Sequence, residues 1–290
     1  MPLPLLNYFV FSAIFILLSW GLYLPYRCGQ LYLAIVYCMA TGAYFAVYVV
    51  TQWHWPIALA ILTSSLVGAF FAFLPALGLR RAPGFTTAIT SLALIFILQT
   101  VIMNLKFLGG QTGLFGIPPM DHPLMTIIVV LLIAGMMVYR IDHSRLGRAA
   151  ELLYYSPEEA TCFGVNMALI SMLLQVLSGA LSGVAGALYA FTVGSVFPSA
   201  FSFSILMMIF SAVFVGGNLT MWGAVVFAPI LWGIPLIQPK ANAEWKDIIY
   251  GALLICILIS RPEGVISKEV VRKVGTGAQR LVQMRRGSFS

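Results

Sequence analysis

Residues 166–192 read NMALISMLLQVLSGALSGVAGALYAFT, a stretch with no Asp, Glu, Lys or Arg. A spanning helix needs about 20 apolar residues, because a rise of about 1.5 Å per residue must cover a hydrocarbon core about 30 Å thick. This run is long enough. Gly179 and Gly183 stand four apart, and Ser182 and Gly186 repeat that spacing. Small residues at this interval let helices approach closely in lipid. The stretch reads as a membrane helix with a packing face on Gly179, Gly183 and Gly186. Whether that face meets this chain or a second subunit is left open by the sequence.

Runs of the same kind recur at 5–24, 31–50, 55–78, 86–104, 124–139, 203–217, 221–238 and 247–260. They predict an all-α, polytopic integral membrane protein with nine transmembrane helices, or eight if 203–238 is partly re-entrant. A broken helix at 31–50 is the other open point. The runs lack the ten-residue alternation of a membrane barrel. Composition agrees: 61% of the residues are apolar and 9% charged, against about a quarter charged in soluble domains. Disorder is excluded as well, since it needs high charge and few aromatics.

Charge placement sets the expected orientation. With alternating spans and a cytoplasmic C-terminus, Arg27, Arg80, Arg81, Arg140, Arg145, Arg148 and seven tail residues from Arg261 to Arg286 lie inside. Only Lys106, Lys240 and Lys246 lie outside, and the N-terminus is then outside. The first 26 residues hold no Lys or Arg, so no cleavable signal peptide is expected. Residues 1–265 read as the membrane domain and 266–290 as a basic tail suited to anionic lipid. The tail from Arg261 carries +5 of the +7 net charge, so the body offers no nucleic-acid surface.

No lysine follows a glycine, so a GxxxxGK[ST] phosphate loop is absent. His54, His122 and His143 are far apart and read as interfacial or loop residues. Cys28, Cys38, Cys162 and Cys256 show no CxxC spacing and read as small buried residues. Apart from Asp247 at an edge, the runs hold no ionisable side chain. Proton-coupled carriers usually need one, so energy for uphill transport is expected from a partner. Polar groups in or near the spans are Gln30, Gln52, Gln99, Thr100, Asn104, Gln175, Ser178 and Asn218. Each reads first as a helix–helix tie. Gln30, Gln99 and Asn104 are the candidates for lining a path.

Two loops carry local signals. The inside segment 140–165 reads RIDHSRLGRAAELLYYSPEEATCFGV. Ser156 as N-cap, Pro157 at the first helical position and Glu159 three residues on form a capping box. Glu158 and Glu159 suit the positive end of the helix dipole, and Gly164 is a helix stop. This predicts a two-turn helix over 157–163. So short a helix is marginal alone, so it docks on something: the membrane, its own spans or a partner. The outside segment 109–119, GGQTGLFGIPP, predicts a set of turns around Gly109, Gly110, Gly113 and Gly116.

Together these motifs resemble the membrane permease subunits of branched-chain amino acid ABC importers, of the LivM type, over residues 27–265. GGQTGLFGIPP is similar to that family's GG-x-x-GL-x-GIP segment. GRAAELLYYSPEEATCFGVN (147–166) is similar to its cytoplasmic loop. SGALSGVAGALYA, FVGGNLTMWGAVVFAP and YGALLICILISRPEG follow in the family's order. The resemblance implies a path-forming subunit that pairs with a second permease subunit. It implies two ATPase subunits that use ATP and Mg, which this chain does not bind, and an extracytoplasmic solute-binding protein. It also implies the bacterial inner membrane. It assigns coupling to the ATPase to Glu158, Glu159, Ala160 and Gly164, and an outer gate or docking role to the loop glycines. One departure stands out: PYRCGQLYLAIVYCMATGAY (25–44) keeps little of the family's GYAGQLSLGHAAFFGIGAY. A permease for urea, short amides or sugars and a stand-alone carrier or channel are the alternatives.

Overall fold

The computed structural model describes residues 3–80, 82–118, 120, 123–217, 220–237, 251–252, 255–256 and 259. Its helices are α1 (Leu3–Tyr26), α2 (Ile35–Trp53), α3 (Ile57–Leu79), α4 (Gly84–Asn104), α5 (Pro123–Asp142), α6 (Arg145–Tyr155), α7 (Pro157–Cys162), α8 (Met167–Val193), α9 (Phe203–Gly216) and α10 (Met221–Ile237). Seven of the described helices are long and apolar enough to cross a membrane, and Met221–Gly233 is a shorter apolar helix. The chain is an all-α, multi-pass membrane protein. The expected ninth span, 247–260, falls mostly outside the described residues, and the tail 266–290 lies wholly outside them.

The chain alternates between two ends. One end collects the α1–α2 linker, the start of α4 and the segment from Asp142 to Asn166. There Arg27 meets Asp142 and Glu151, and Gly84 packs on the Gly29 carbonyl. The opposite end collects the α4–α5 and α8–α9 loops. A two-residue antiparallel pair joins them there, β1 (Leu114–Phe115) to β2 (Ser195–Val196), with Leu114 opposite Val196. Trp53 and Trp55 are exposed at this end, as aromatic residues are at a membrane boundary.

Three helices are pressed into backbone contact. A Cβ on Gly183 would run into the Ser64 carbonyl of α3, and one on Gly179 into Gly68 and Ala72 of α3. A Cβ on Gly186 would meet the Met39 carbonyl of α2, and one on Gly42 of α2 would meet Gly183. The small-residue face of α8 therefore packs within the chain, with α3 on one side and α2 on the other. Lipid tails are as apolar as leucine, so this close van der Waals fit is what holds such helices together.

A second group gathers on α1. Trp20 lies against Gly135 of α5 and donates to the Met221 carbonyl of α10 at 3.0 Å. Tyr8 donates to the Pro229 carbonyl at 2.9 Å, and Phe15 stacks on Trp232. Contacts near both ends of α1 show α10 running antiparallel to it. By contrast, α3 and α5 turn Leu62, Leu66, Phe70, Leu132, Ile133 and Met136 outward, faces suited to lipid.

Four expectations need correction. Helix α2 begins at Ile35, not at 31, because residues 27–34 are held in a non-helical form by tertiary bonds described below. A further helix, α6, precedes α7; Ser144 caps it by accepting from the backbone N–H groups of Leu146 and Gly147. Ser156 is the N-cap of α7, but its side chain makes no capping bond. The same residue closes α6 by donating its N–H to the Leu152 carbonyl at 2.9 Å, and that double duty fixes its backbone away from capping geometry. Cys162 and Cys256 are exposed rather than buried; Cys28 and Cys38 are buried.

Candidate functional site

The segment 140–165 begins where α5 ends. Helix α6 buries Gly147, Ala150 and Leu153. After Ser156, α7 follows, packed on α6 and α8 through the buried Ala160. Pro157 supplies a fixed φ at its first position, and Gly164 ends it at φ +76°. The Gly164 N–H donates to the Thr161 carbonyl and the Val165 N–H to the Ala160 carbonyl, both at 3.0 Å. Ala160 is the sole buried residue of α7. Glu158, Glu159 and Cys162 are exposed, as are Tyr155 before the helix and Phe163 after it, the latter at 76%. The arrangement is a two-turn helix presenting carboxylates at its N-terminus and an aromatic ring at its C-terminus, all directed outward.

Behind this helix lies a buried ion cluster. Arg27, 6% exposed, follows the last residue of α1. Its Nη1 contacts Asp142 Oδ1 at 3.0 Å and donates to Tyr23 Oη at 3.1 Å. Its Nη2 reaches the Gly147 carbonyl at 3.4 Å and Glu151 Oε2 at 3.5 Å. Tyr23 donates to the same Asp142 oxygen at 2.9 Å. Burial works against the guanidinium charge; Tyr23, Asp142 and Glu151 outweigh it and hold its pKa above the ordinary value. One side chain thus ties α1 to the end of α5 and to α6. Removing one partner of a buried pair typically costs about 3–5 kcal/mol, because the other is left uncompensated.

Three residues further on, Gln30 makes the second tie. Its Oε1 accepts from Ser171 Oγ at 2.7 Å and from Gln175 Nε2 at 2.6 Å, both on α8. All three side chains are buried, and Gln30 Nε2 and Gln175 Oε1 have no partner among the described residues. The Leu33 N–H donates to Ser91 Oγ of α4 at 3.0 Å. Residues 27–34 are therefore an irregular backbone at the membrane edge, acceptable there because the protein buries and bonds it.

The other path candidates are not gathered with Gln30. Gln99 lines a small pocket with Tyr37, Ile102 and Phe201. Asn104 is exposed and donates back to the Thr100 carbonyl of its own helix at 2.8 Å. An apolar cavity of about 300 Å³ lies nearby between α2, α3 and α4, lined by residues such as Tyr44, Phe71 and Leu98. In the opposite-end loop, Gly109, Gly110, Gly113 and Gly116 all have left-handed φ. Gly113 also passes so close to the Val196 carbonyl that no side chain fits. These four residues shape turns that seat β1 against β2.

Arg27 carried no sequence signal beyond its charge, since its acidic partners lie 115 and 124 residues away. Helix α6 was within reach: Ser144 precedes an apolar spacing at Leu146, Ala149, Ala150 and Leu153 that suits a helix.

The sequence profile of the family described as branched-chain amino acid transport system / permease component matches residues 5–258. Curated relatives include the high-affinity branched-chain amino acid transport system permease protein LivH of Escherichia coli K12, 32% identical over 136 residues, 46% of this chain and 44% of that protein. LivM of Salmonella typhimurium is 24% identical over 237 residues, 70% of this chain and 56% of that protein. BraD of Pseudomonas aeruginosa is 26% identical over 170 residues, 58% of this chain and 55% of that protein. The chain spans about half the length of the curated relatives it matches, and no solved structure matches it. With a family match covering nearly all of its membrane helices, the chain belongs to the branched-chain amino acid transport permease family.

Proposed function

We propose that this chain forms the solute path of an ATP-binding-cassette importer for branched-chain or related amino acids. Separate subunits supply ATP hydrolysis. The observation that carries the reading is α7, a short helix with no side-chain N-cap bond and a single buried alanine, with Glu158, Glu159 and the following Phe163 exposed. A helix that short does not hold itself together in water; a groove on another protein gives it a reason to exist. Lys and Arg placement supports a cytoplasmic position for this face and an external one for the loop at 109–119. The importer then comprises this chain, a second permease subunit, two ATPase subunits and an extracytoplasmic binding protein, in a bacterial inner membrane. Glu158, Glu159 and Gly164, all exposed, engage the ATPase, while Ala160, buried, seats the helix on its own chain. Gly109, Gly110, Gly113 and Gly116 shape the surface that meets the binding protein.

The test is reconstitution in liposomes. With both ATPase subunits, the second permease and the binding protein, ATP should drive uptake of L-leucine. Urea and ribose serve as the comparison solutes. Flux through the chain alone, independent of ATP, would refute the reading in favour of a stand-alone carrier. ATP-driven uptake of urea or ribose but not leucine would keep the architecture and replace the solute class.

A further inference from the structure

We propose that the outward face of α4 is the seam on which a spanning helix of the second permease subunit packs. This rests on the reading of the chain as one permease of an importer. Along one line of α4 the residues Thr86, Thr90, Ala93, Ile97, Thr100 and Asn104 are all exposed. The line lies opposite the buried Ala88, Ser91, Ile95 and Ile102. Thr86, Thr90, Thr100 and Asn104 put hydroxyls and an amide on it. The Thr100 hydroxyl donates to the Phe96 carbonyl and the Asn104 amide to the Thr100 carbonyl, both at 2.8 Å. Hydroxyl and amide oxygens can still accept from a donor outside. The outward faces of other spans differ. Leu62, Leu66 and Phe70 on α3 and Leu132, Ile133 and Met136 on α5 are exposed, large apolar side chains that suit lipid tails.

A line of hydroxyls gains nothing from hydrocarbon, whereas Thr and Asn are residues through which membrane helices bond one another. The steps along the line alternate between four and three. Their mean of about 3.5 is the repeat of a left-handed crossing between two helices. Ala93 and Ile97 make the middle of the line dry, which suits a packed helix and not a water-filled path. From Thr86 to Asn104 the line runs about 27 Å at about 1.5 Å per residue, close to the thickness of the hydrocarbon core. A cover of that length inside the bilayer is a spanning helix. The ATPase subunits and the binding protein lie on either side of the membrane, which leaves the second permease. On its inner side α4 is loosely held. It scarcely touches α3, and the apolar cavity of about 300 Å³ lies between α2, α3 and α4. A helix so poorly packed by its own chain gains from a partner on the other side.

The experiment uses the assembled complex in membranes. The photoreactive residue benzoylphenylalanine replaces Thr90 or Ile97 on the line, and Leu66 or Leu132 as lipid-facing controls. Ultraviolet light should join the second permease to this chain from Thr90 and Ile97 and not from the controls, as peptide mass spectrometry would read. Ala93→Phe changes an exposed residue, so the chain's own fold tolerates it. It should cut the second permease that co-purifies at least about fivefold, while Leu66→Phe leaves it unchanged. Undiminished co-purification with Ala93→Phe overturns the proposal. So do adducts from Thr90 and Ile97 with a second copy of this chain, with its own segment 247–260 or with no protein, and equal adducts from the controls. Rapid modification of Ile97→Cys by a membrane-impermeant maleimide, the sign of a water-filled path, overturns it too. A parent complex that holds no second permease overturns instead the functional reading on which the proposal rests.

Discussion

Replacing Gly183 by alanine should loosen the α2–α3–α8 crossing. A Cβ at that position would run into the Ser64 carbonyl and come within 3.1 Å of the Gly68 Cα. Both obstacles are backbone, so neither can rotate away, and α3 must shift from α8. Overpacking of this kind costs about 1–3 kcal/mol, and rigid obstacles argue for the upper end. Alanine returns about 1 kcal/mol of helix propensity. The net loss is about 2 kcal/mol, or a Tm lowered by about 4–8 °C for a chain of this size. Gly78, on α3, is the control, because a Cβ there meets nothing within 4 Å. Gly78→Ala should leave Tm unchanged or raise it. The assay is a thermal ramp in detergent with a thiol-reactive dye, in a background lacking the exposed Cys162 and Cys256. The buried Cys28 and Cys38 then become reactive on unfolding. Gly183→Ala with a Tm equal to or above that of Gly78→Ala would refute the reasoning.

Further outcomes follow from the loops. Burial pushes the Cys28 thiol up to about 12, so at pH 7–8 it carries no thiolate. Maleimide should modify exposed Cys162 within minutes and spare Cys28 until the chain is denatured, as mass spectrometry of the peptides would show. Phe163→Ala and Glu159→Lys alter exposed residues of the α7 face, so Tm should hold within about 2 °C while pull-down of the ATPase subunits falls at least about fivefold. Gly113→Ala meets both a left-handed φ of +77° and the Val196 carbonyl. It should unpair β1 from β2, read as faster proteolysis of the external loop in intact vesicles.

Much of the membrane architecture is legible in the chain because lipid leaves few options. Backbone polar groups must be bonded internally, so uninterrupted apolar runs become helices. The run at 166–192 became Met167–Val193, and that at 86–104 became Gly84–Asn104. Legibility fails where distant contacts decide. The segment QLYLA (30–34) is as apolar as a helix start, yet Gln30 and Leu33 are held by Ser171, Gln175 and Ser91. Arg27 reads as one more cytoplasmic charge until Asp142 and Glu151 come beside it. The outward α7 was visible through Ser156, Pro157 and Gly164, which are local signals. The ion cluster behind it was not, since Arg27 meets Asp142 and Glu151 only through pairings more than 100 residues apart in sequence.

The glycine crossing also bears on how the molecule is made. Gly68 leaves the ribosome 111 residues before Gly179 and 115 before Gly183. At a synthesis rate of about 5–20 residues per second, α3 waits about 6–23 s for its partner. During that interval α2 and α3 sit in the bilayer with their glycine grooves filled only by lipid chains, which α8 must displace. Assembly of this subunit is therefore a late event, set by the arrival of its eighth helix. A chain truncated before that point would be inserted in full as far as it goes and still have no centre. Such a product would be a target for membrane proteases rather than a folding failure in solution.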